Sequence, residues 1–227
     1  MTAPHEHPLP DALPDVVPAP RAHAGTFVSF EGGDGVGKST QLDLLRTWLA
    51  GIGREVVVTR EPGGTPLGLE LRTAVLHGDH VAPRAEALIY AADRAHHVAT
   101  VVRPALERGA AVLSDRFLDS SVAYQGVGRG LGADAVERLN LWAVEGLLPD
   151  LTVLLDLDPA IGLSRITREP DRLERAGAEF HARMRQAYLD RAAAEPGRWL
   201  VLDAAEPPEV VAARVRERLA ALLGVPA

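Results

Sequence analysis

One lysine stands among 23 arginines in this chain of 227 residues, and it closes the string Gly32-Gly33-Asp34-Gly35-Val36-Gly37-Lys38-Ser39. The string matches G-x-x-x-x-G-K-[ST] in full, and an apolar run, Thr26 to Phe30, leads into it. Glycines at these positions let successive N–H groups turn inward, and the N-terminus of the helix that follows adds partial positive charge. Together they make a socket for polyphosphate. Lys38 has the length to reach the terminal phosphates, and the Ser39 hydroxyl suits Mg²⁺. A compact ammonium fits such a cradle where a planar guanidinium does not, which explains a lone lysine in a chain biased toward Arg, Ala and Gly. The loop alone leaves ATPases, GTPase switches and small-molecule kinases open.

Further residues follow strand-like runs. Asp34 places a carboxylate where phosphates gather, so it needs another purpose, such as a sugar hydroxyl or indirect help with a metal. Thr59-Arg60-Glu61-Pro62-Gly63-Gly64-Thr65 follows a second strand. Asp115-Arg116-Phe117 follows a third, and by itself its Asp-Arg pair reads as a local ion pair at a strand end. Tyr90 and Arg94 are four apart and share a helical face, and spacing alone favours a core residue beside a surface charge.

These segments need a scaffold. Five strand-like runs (Thr26 to Phe30, Glu55 to Thr59, Ala110 to Ser114, Leu151 to Asp156, Trp199 to Leu202) alternate with helix-compatible segments. Right-handed crossovers then give a three-layer α/β fold, a five-stranded parallel sheet flanked by helices, with ligands at the carboxyl ends of the strands. The first helix is expected from Lys38 to Ala50, stopped by Gly51 and Gly53. Arg165 to Arg185 lacks the apolar density of a core element and reads as a mobile flap leading into a helix. Residues 1–24, rich in Pro, Ala and His, read as a disordered tail ahead of one domain from 25 to 227.

Composition narrows the function. The net charge of −7 argues against a nucleic-acid binder, and the absence of cysteine removes disulfides, thiolate metal sites and cysteine nucleophiles. No run is long and apolar enough to span a membrane, and no secretory signal is present, so a cytoplasmic protein is expected. His5, His7 and His23 read as solvated tail residues. His77, His80, His96 and His97 match no strong zinc spacing and read as surface or helix-face residues. A guanine-reading Asn-Lys-x-Asp motif is impossible, because the only lysine is Lys38.

The phosphate loop, the Arg-Glu-Pro-Gly-Gly segment, Asp115-Arg116-Phe117 and Ala123-Tyr124-Gln125-Gly126-Val127-Gly128-Arg129-Gly130, in this order and spacing, resemble bacterial thymidylate kinases from Thr26 to the C-terminal helix. The resemblance implies a P-loop kinase fold with a short lid at about 165–176. It implies transfer of the γ-phosphoryl group of ATP to dTMP with Mg²⁺, and a homodimer. ATP would lie on Gly32 through Ser39 and Thr40. Asp34 would meet the 3'-hydroxyl of the acceptor sugar, Arg116 its phosphate, Tyr90 the face of the thymine and Arg94 its edge. Tyr124 would crowd the 2' position, Ser121 and Gln125 would lie against the base, and Arg72 would add a phosphate ligand. Asp115 and Ser39 would serve the metal. Some relatives carry an arginine where Gly35 stands here. The missing charge then falls to a flap whose Asp171-Arg172-Leu173-Glu174 resembles the bacterial lid, with Arg168 and Arg172 the expected catalytic arginines beside Lys38 and Arg116. No catalytic base is expected, since the acceptor phosphate is already anionic.

Overall fold

The computed structural model describes residues 15–21, 23–77 and 80–226. Five parallel strands, β1 (Thr26–Glu31), β2 (Val56–Arg60), β3 (Ala111–Asp115), β4 (Leu151–Asp156) and β5 (Trp199–Asp203), lie in the order β2-β3-β1-β4-β5. The strand bounds agree with the sequence expectation to within a residue. β1, at the centre, is buried along its whole length. Its side chains alternate between two cores, as a period of two requires when both faces of a sheet are covered. Val28 and Phe30 meet Leu42, Leu45 and Leu49 of α1 (Lys38–Gly51) and Val211, Val215 and Leu219 of α9 (Pro208–Leu223). Phe27 faces the opposite layer, with Val98 and Val102 of a π-helical turn, Leu106 of α4 (Arg103–Glu107) and Leu141 of α6 (Ala133–Ala143).

Register brings the functional ends into line. Asp115 pairs with Phe30 on one side and Arg60 on the other, so β1, β2 and β3 end in one row, and the loops that leave them open a crevice above the sheet. α2 (Pro66–Leu76) and α3 (Pro83–His97) roof one side, with Thr65 capping α2 by accepting from Gly68 N. α5 (Leu118–Ser121) runs into a second π-helical turn, Val122–Gly128, which carries Tyr124 and Gln125 inward.

The lid expected at about 165–176 falls in a largely irregular stretch that leads into a helix. α7 (Pro159–Ser164) gives way to an irregular connection and one 3₁₀ turn at Glu174–Ala176, and α8 (Ala178–Ala194) begins soon after. Arg183 and Arg185 therefore belong to a core helix. Phe180, Met184 and Tyr188 recur every four residues and are buried, an apolar stripe diluted in sequence by the arginines around it. The N-terminal segment also differs from a free tail where it is described. Ala19 N donates to Gly146 O at 2.8 Å, Arg21 pairs with Asp150, and Val16 packs on the Phe27 core. His5, His7 and the rest of 1–14 lie outside the described residues.

α7 is clasped to the phosphate loop through two glycines. A Cβ on Gly35, at φ 73°, would lie 2.0 Å from Gly162 O, and one on Gly162 would lie 2.4 Å from Asp34 O. An arginine at position 35 is thus sterically excluded by the helix that starts the lid. Gly162→Ala is expected to lower the unfolding free energy by about 1–3 kcal/mol, since backbone must move to admit the methyl. Gly51→Ala, which meets open space, should cost nothing in the same urea titration.

Candidate active site

Two clefts meet above the carboxyl ends of the strands. One is lined by Lys38, Ser39 and Thr40 of the phosphate loop, with Arg60, Asp115, Arg165 and Arg168 opposite. The other is a pocket into which all eight residues assigned to the acceptor project: Asp34, Arg72, Tyr90, Arg94, Arg116, Ser121, Tyr124 and Gln125. Asp34, Glu61, Arg72, Arg116 and Arg168 line both, so they form the wall where the two spaces join.

In the loop cleft, Gly32, Gly35 and Gly37 have φ of 126°, 73° and 99°, a region that residues with a Cβ rarely adopt. Val36 is buried in the core and anchors the loop. Lys38 donates to Gly33 O at 2.7 Å. Burial, then the nearby Arg116, pulls its ammonium down from the ordinary value against the attraction of Asp115 and Asp34. Gly33, Ser39 and Thr40 remain partly or fully open to the cleft.

Arg116 sits at the joint. Its backbone takes φ 70°, uncommon for a residue with a side chain. The turn is held by Arg116 N donating to Phe30 O, Ser114 Oγ donating to Arg116 O, and Phe117 N donating to Glu31 Oε1 at 2.7 Å. The guanidinium donates to Asp34 Oδ1 at 2.7 Å, Tyr124 OH at 3.1 Å and Gly32 O at 2.9 Å, and lies over the Tyr124 ring. Beneath it, Ser120 and Tyr188 accept from Nη1 and donate to Glu31 Oε2. Burial above all, with negative Asp119 next, lifts the Glu31 carboxyl to about 7.

The end of the pocket around Arg94 is preorganised. Arg94 is fully buried and donates to Glu61 Oε2 at 2.6 Å, Ser121 Oγ at 3.0 Å, Phe117 O at 3.2 Å and Asn140 Oδ1. Four of its five N–H groups are thereby committed, leaving one on Nη2. Tyr90 presents its ring at the wall, and burial raises its phenol, which stays neutral. Gln125 donates to the buried Glu86 Oε1 at 2.8 Å. Arg72 donates to Pro62 O at 3.0 Å and lines both clefts.

The lid departs from expectation in one respect. Arg168 reaches the junction, where it pairs with Glu174 at 2.5 and 2.8 Å. Arg172 is not among the residues lining either cleft. Its Nη2 lies 2.6 Å from Glu86 Oε2, and its Nε donates to Val75 O at 2.9 Å. Arg165, exposed on the loop cleft, stands nearer the phosphate loop in its place. The Arg175 side chain donates only to Pro170 O among the described residues, and Arg185 clamps Asp156.

Several functional neighbours escaped sequence reasoning. His97, expected on a helix face, is fully buried, with Nδ1 at 2.8 Å from Glu61 Oε1 and Nε2 at 2.6 Å from Thr59 Oγ1. Glu31, Glu61 and Glu86 are buried carboxylates whose partners come from distant segments. Only Glu61, inside the Arg-Glu-Pro-Gly-Gly string, carried a local signal.

For a cation, Asp115 Oδ1 is buried without a hydrogen-bond partner, and Asp115 and Ser39 line one recess beside the loop. No group of three or more His, Asp or Glu that could hold a metal occurs among the described residues. That fits Mg²⁺, which keeps waters and takes phosphate oxygens in place of an all-protein cage. Nor is any helix of the described residues long and apolar enough to cross a membrane.

Asp34 gives a test of the joint. Burial would raise its carboxyl, but Arg116 and Lys38 outweigh that and hold it at about 2, below its ordinary 3.8. A depressed carboxyl stabilises the fold above the unfolded-state value, and the contribution disappears as pH falls through the folded one. Asp34→Asn should therefore be less stable than the parent at pH 7 by roughly 2 kcal/mol, with the gap closing between pH 4 and pH 2 in urea titrations. A constant gap across that range would refute the pairing.

Comparison with known proteins agrees with this geometry. The sequence model described as thymidylate kinase matches residues 30–215. The chain is 64% identical over 203 residues to the thymidylate kinase of Clavibacter michiganensis subsp. michiganensis, covering 88% of this chain and 96% of that one. It is 65% identical over 206 residues to the thymidylate kinase of Leifsonia xyli subsp. xyli, covering 88% and 97%. At greater distance, it is 52% identical over 194 residues to that of Deinococcus radiodurans, covering 84% and 94%. With the loop, the acceptor pocket and the sheet order already in place, these matches settle its membership: the chain belongs to the thymidylate kinase family.

Proposed function

We propose that the chain transfers the γ-phosphoryl group of ATP to dTMP, giving ADP and dTDP. The observation that carries this reading is the shared wall: a phosphate loop and a second pocket meet at Asp34, Arg72, Arg116 and Arg168. A donor on the loop and an acceptor in the pocket would bring their phosphates together there.

The loop N–H groups and Lys38 take the triphosphate, Lys38 exchanging Gly33 O for phosphate oxygens. Mg²⁺, held by Ser39 and Asp115, would neutralise charge on the phosphates. Arg116 and Arg72 receive the acceptor phosphate. Arg116 suits this because Asp34, Tyr124, Ser120 and Tyr188 already fix its plane, so little order is lost on binding. Asp34 accepts from the sugar 3'-hydroxyl, and Tyr124, locked between Arg116 and Phe180, narrows the 2' side. Tyr90 stacks on the base, while the spare N–H of Arg94, with Ser121 and Gln125, reads its edge.

Transfer breaks the bond from the γ-phosphorus to its bridging oxygen and forms one to an acceptor phosphate oxygen. No proton has to be removed first, so the protein's task is alignment and charge neutralisation. Arg168 and Arg165 supply that charge from the lid, which also excludes water. The family resemblance further implies a homodimer, and Leu67 on α2 and Leu88 on α3 are exposed apolar residues that pairing would cover.

An ADP-release assay across nucleoside monophosphates should give dTMP the highest kcat/KM, and preference for another acceptor would overturn the assignment. Within it, replacing both Arg165 and Arg168 by Ala should lower kcat by about 10³ or more while KM for ATP changes little. An unchanged kcat would remove the lid from the mechanism.

A further inference from the structure

The acceptor pocket and the lid are joined through a carboxylate that touches neither cleft. Glu86, in the first turn of α3, is fully buried. One oxygen, Oε1, accepts from Gln125 Nε2 at 2.8 Å and from Arg129 Nε at 3.3 Å. The other lies 2.6 Å from Arg172 Nη2. One negative charge thus faces two guanidinium groups and a carboxamide, drawn from a π-helical turn, the residue that follows it and the lid.

From Arg172 the connection runs on along the lid. Its neighbours Asp171 and Leu173 line the acceptor pocket beside Gln125. Asp171 Oδ1 accepts from the backbone of Leu173 and Glu174, and Asp171 N donates to Glu174 Oε2 at 2.7 Å. Glu174 in turn holds Arg168. Hydrogen bonds and ion pairs, carried across the peptide bond between Arg172 and Asp171, therefore lead from a side chain at the base end of the pocket to an arginine at the phosphate junction.

We propose that Glu86 is a positioning residue that ties the lid to the acceptor pocket, so that the placement of Arg168 depends on the hold that one carboxylate has on both Gln125 and Arg172. This rests on the reading in which Gln125 faces the acceptor's base and Arg168 the transferred group. The charge matters because an uncharged amide keeps the size and an acceptor for Gln125, yet no longer offsets Arg172, whose buried guanidinium would then lack a counterion.

The test is a double-mutant cycle. Glu86→Gln and Arg172→Met should each lower kcat at saturating acceptor by about tenfold or more. The double variant should fall no further than either alone, because both sever one link. KM for ATP should stay within about twofold, since the phosphate loop is untouched. Multiplying losses, or an unchanged kcat in Glu86→Gln, would overturn the proposal. Should Glu86→Gln fail to fold, the cycle between Gln125→Ala and Arg172→Met reads the same link, because these two share no hydrogen bond and meet only through Glu86. Coupling between them is expected, and strict additivity would overturn the proposal too. The cycles use whichever monophosphate the wild-type enzyme prefers, so a wrong acceptor assignment and an absent coupling give different results.

Discussion

The site depends on the ion pair between Asp34 and Arg116. It ties the phosphate loop after β1 to the turn after β3, two segments 82 residues apart in sequence and adjacent in the sheet. Neither partner could be left alone there. An unpaired guanidinium at this depth would carry a desolvation penalty of several kcal/mol, and an unpaired carboxylate beside the phosphate socket would repel what the loop is built to hold. Paired, they leave Arg116 with a fixed plane and Asp34 with a second oxygen turned toward Tyr124.

That pair is supported from below by Glu31, which lines neither cleft. Glu31 fixes Phe117 N and the Ser120 and Tyr188 hydroxyls, and so sets both the backbone of Arg116, at φ 70°, and the acceptors beneath its guanidinium. Backbone held in a sparsely populated region persists only where its surroundings over-determine it, and here the ends of β1 and β3 do so. Charge in the site is otherwise supplied economically. The protein carries a net −7, yet Lys38, Arg60, Arg72, Arg116, Arg165 and Arg168 converge on one cleft, so the local field opposes the global one. Gly35 shows why the loop does not add to them: Gly162 O occupies the space that any side chain there would need.

Much of this was legible in the sequence, for reasons that differ by residue. The loop could be read because its chemistry demands glycine at fixed spacing, and the strands because both faces of a parallel sheet are apolar. The residues that line the second pocket stood out only as a set, since Tyr90 and Arg94 taken alone read as a core tyrosine and a surface arginine. Glu31, Glu86 and His97 were not legible, because burial of a charged or titratable side chain is decided by partners 36 to 157 residues away. Arg172 illustrates the same limit. Its type and its place in the lid suited a catalytic arginine, and only the position of Glu86 on another helix shows that its guanidinium is engaged elsewhere. The helix α8 was partly hidden because its buried stripe is interleaved with arginines.

The claim that Arg116, braced by Asp34, receives the acceptor's phosphate is tested most directly by calorimetric titration of dTMP and of thymidine, which lacks the phosphate, into the protein and its Arg116→Lys variant. The wild type should bind dTMP far more tightly than thymidine. The variant should lose about 10- to 100-fold of that advantage while its affinity for thymidine holds, as expected when a charged, two-pronged hydrogen bond is replaced by a point charge. An advantage for dTMP that survives the substitution intact would contradict the account.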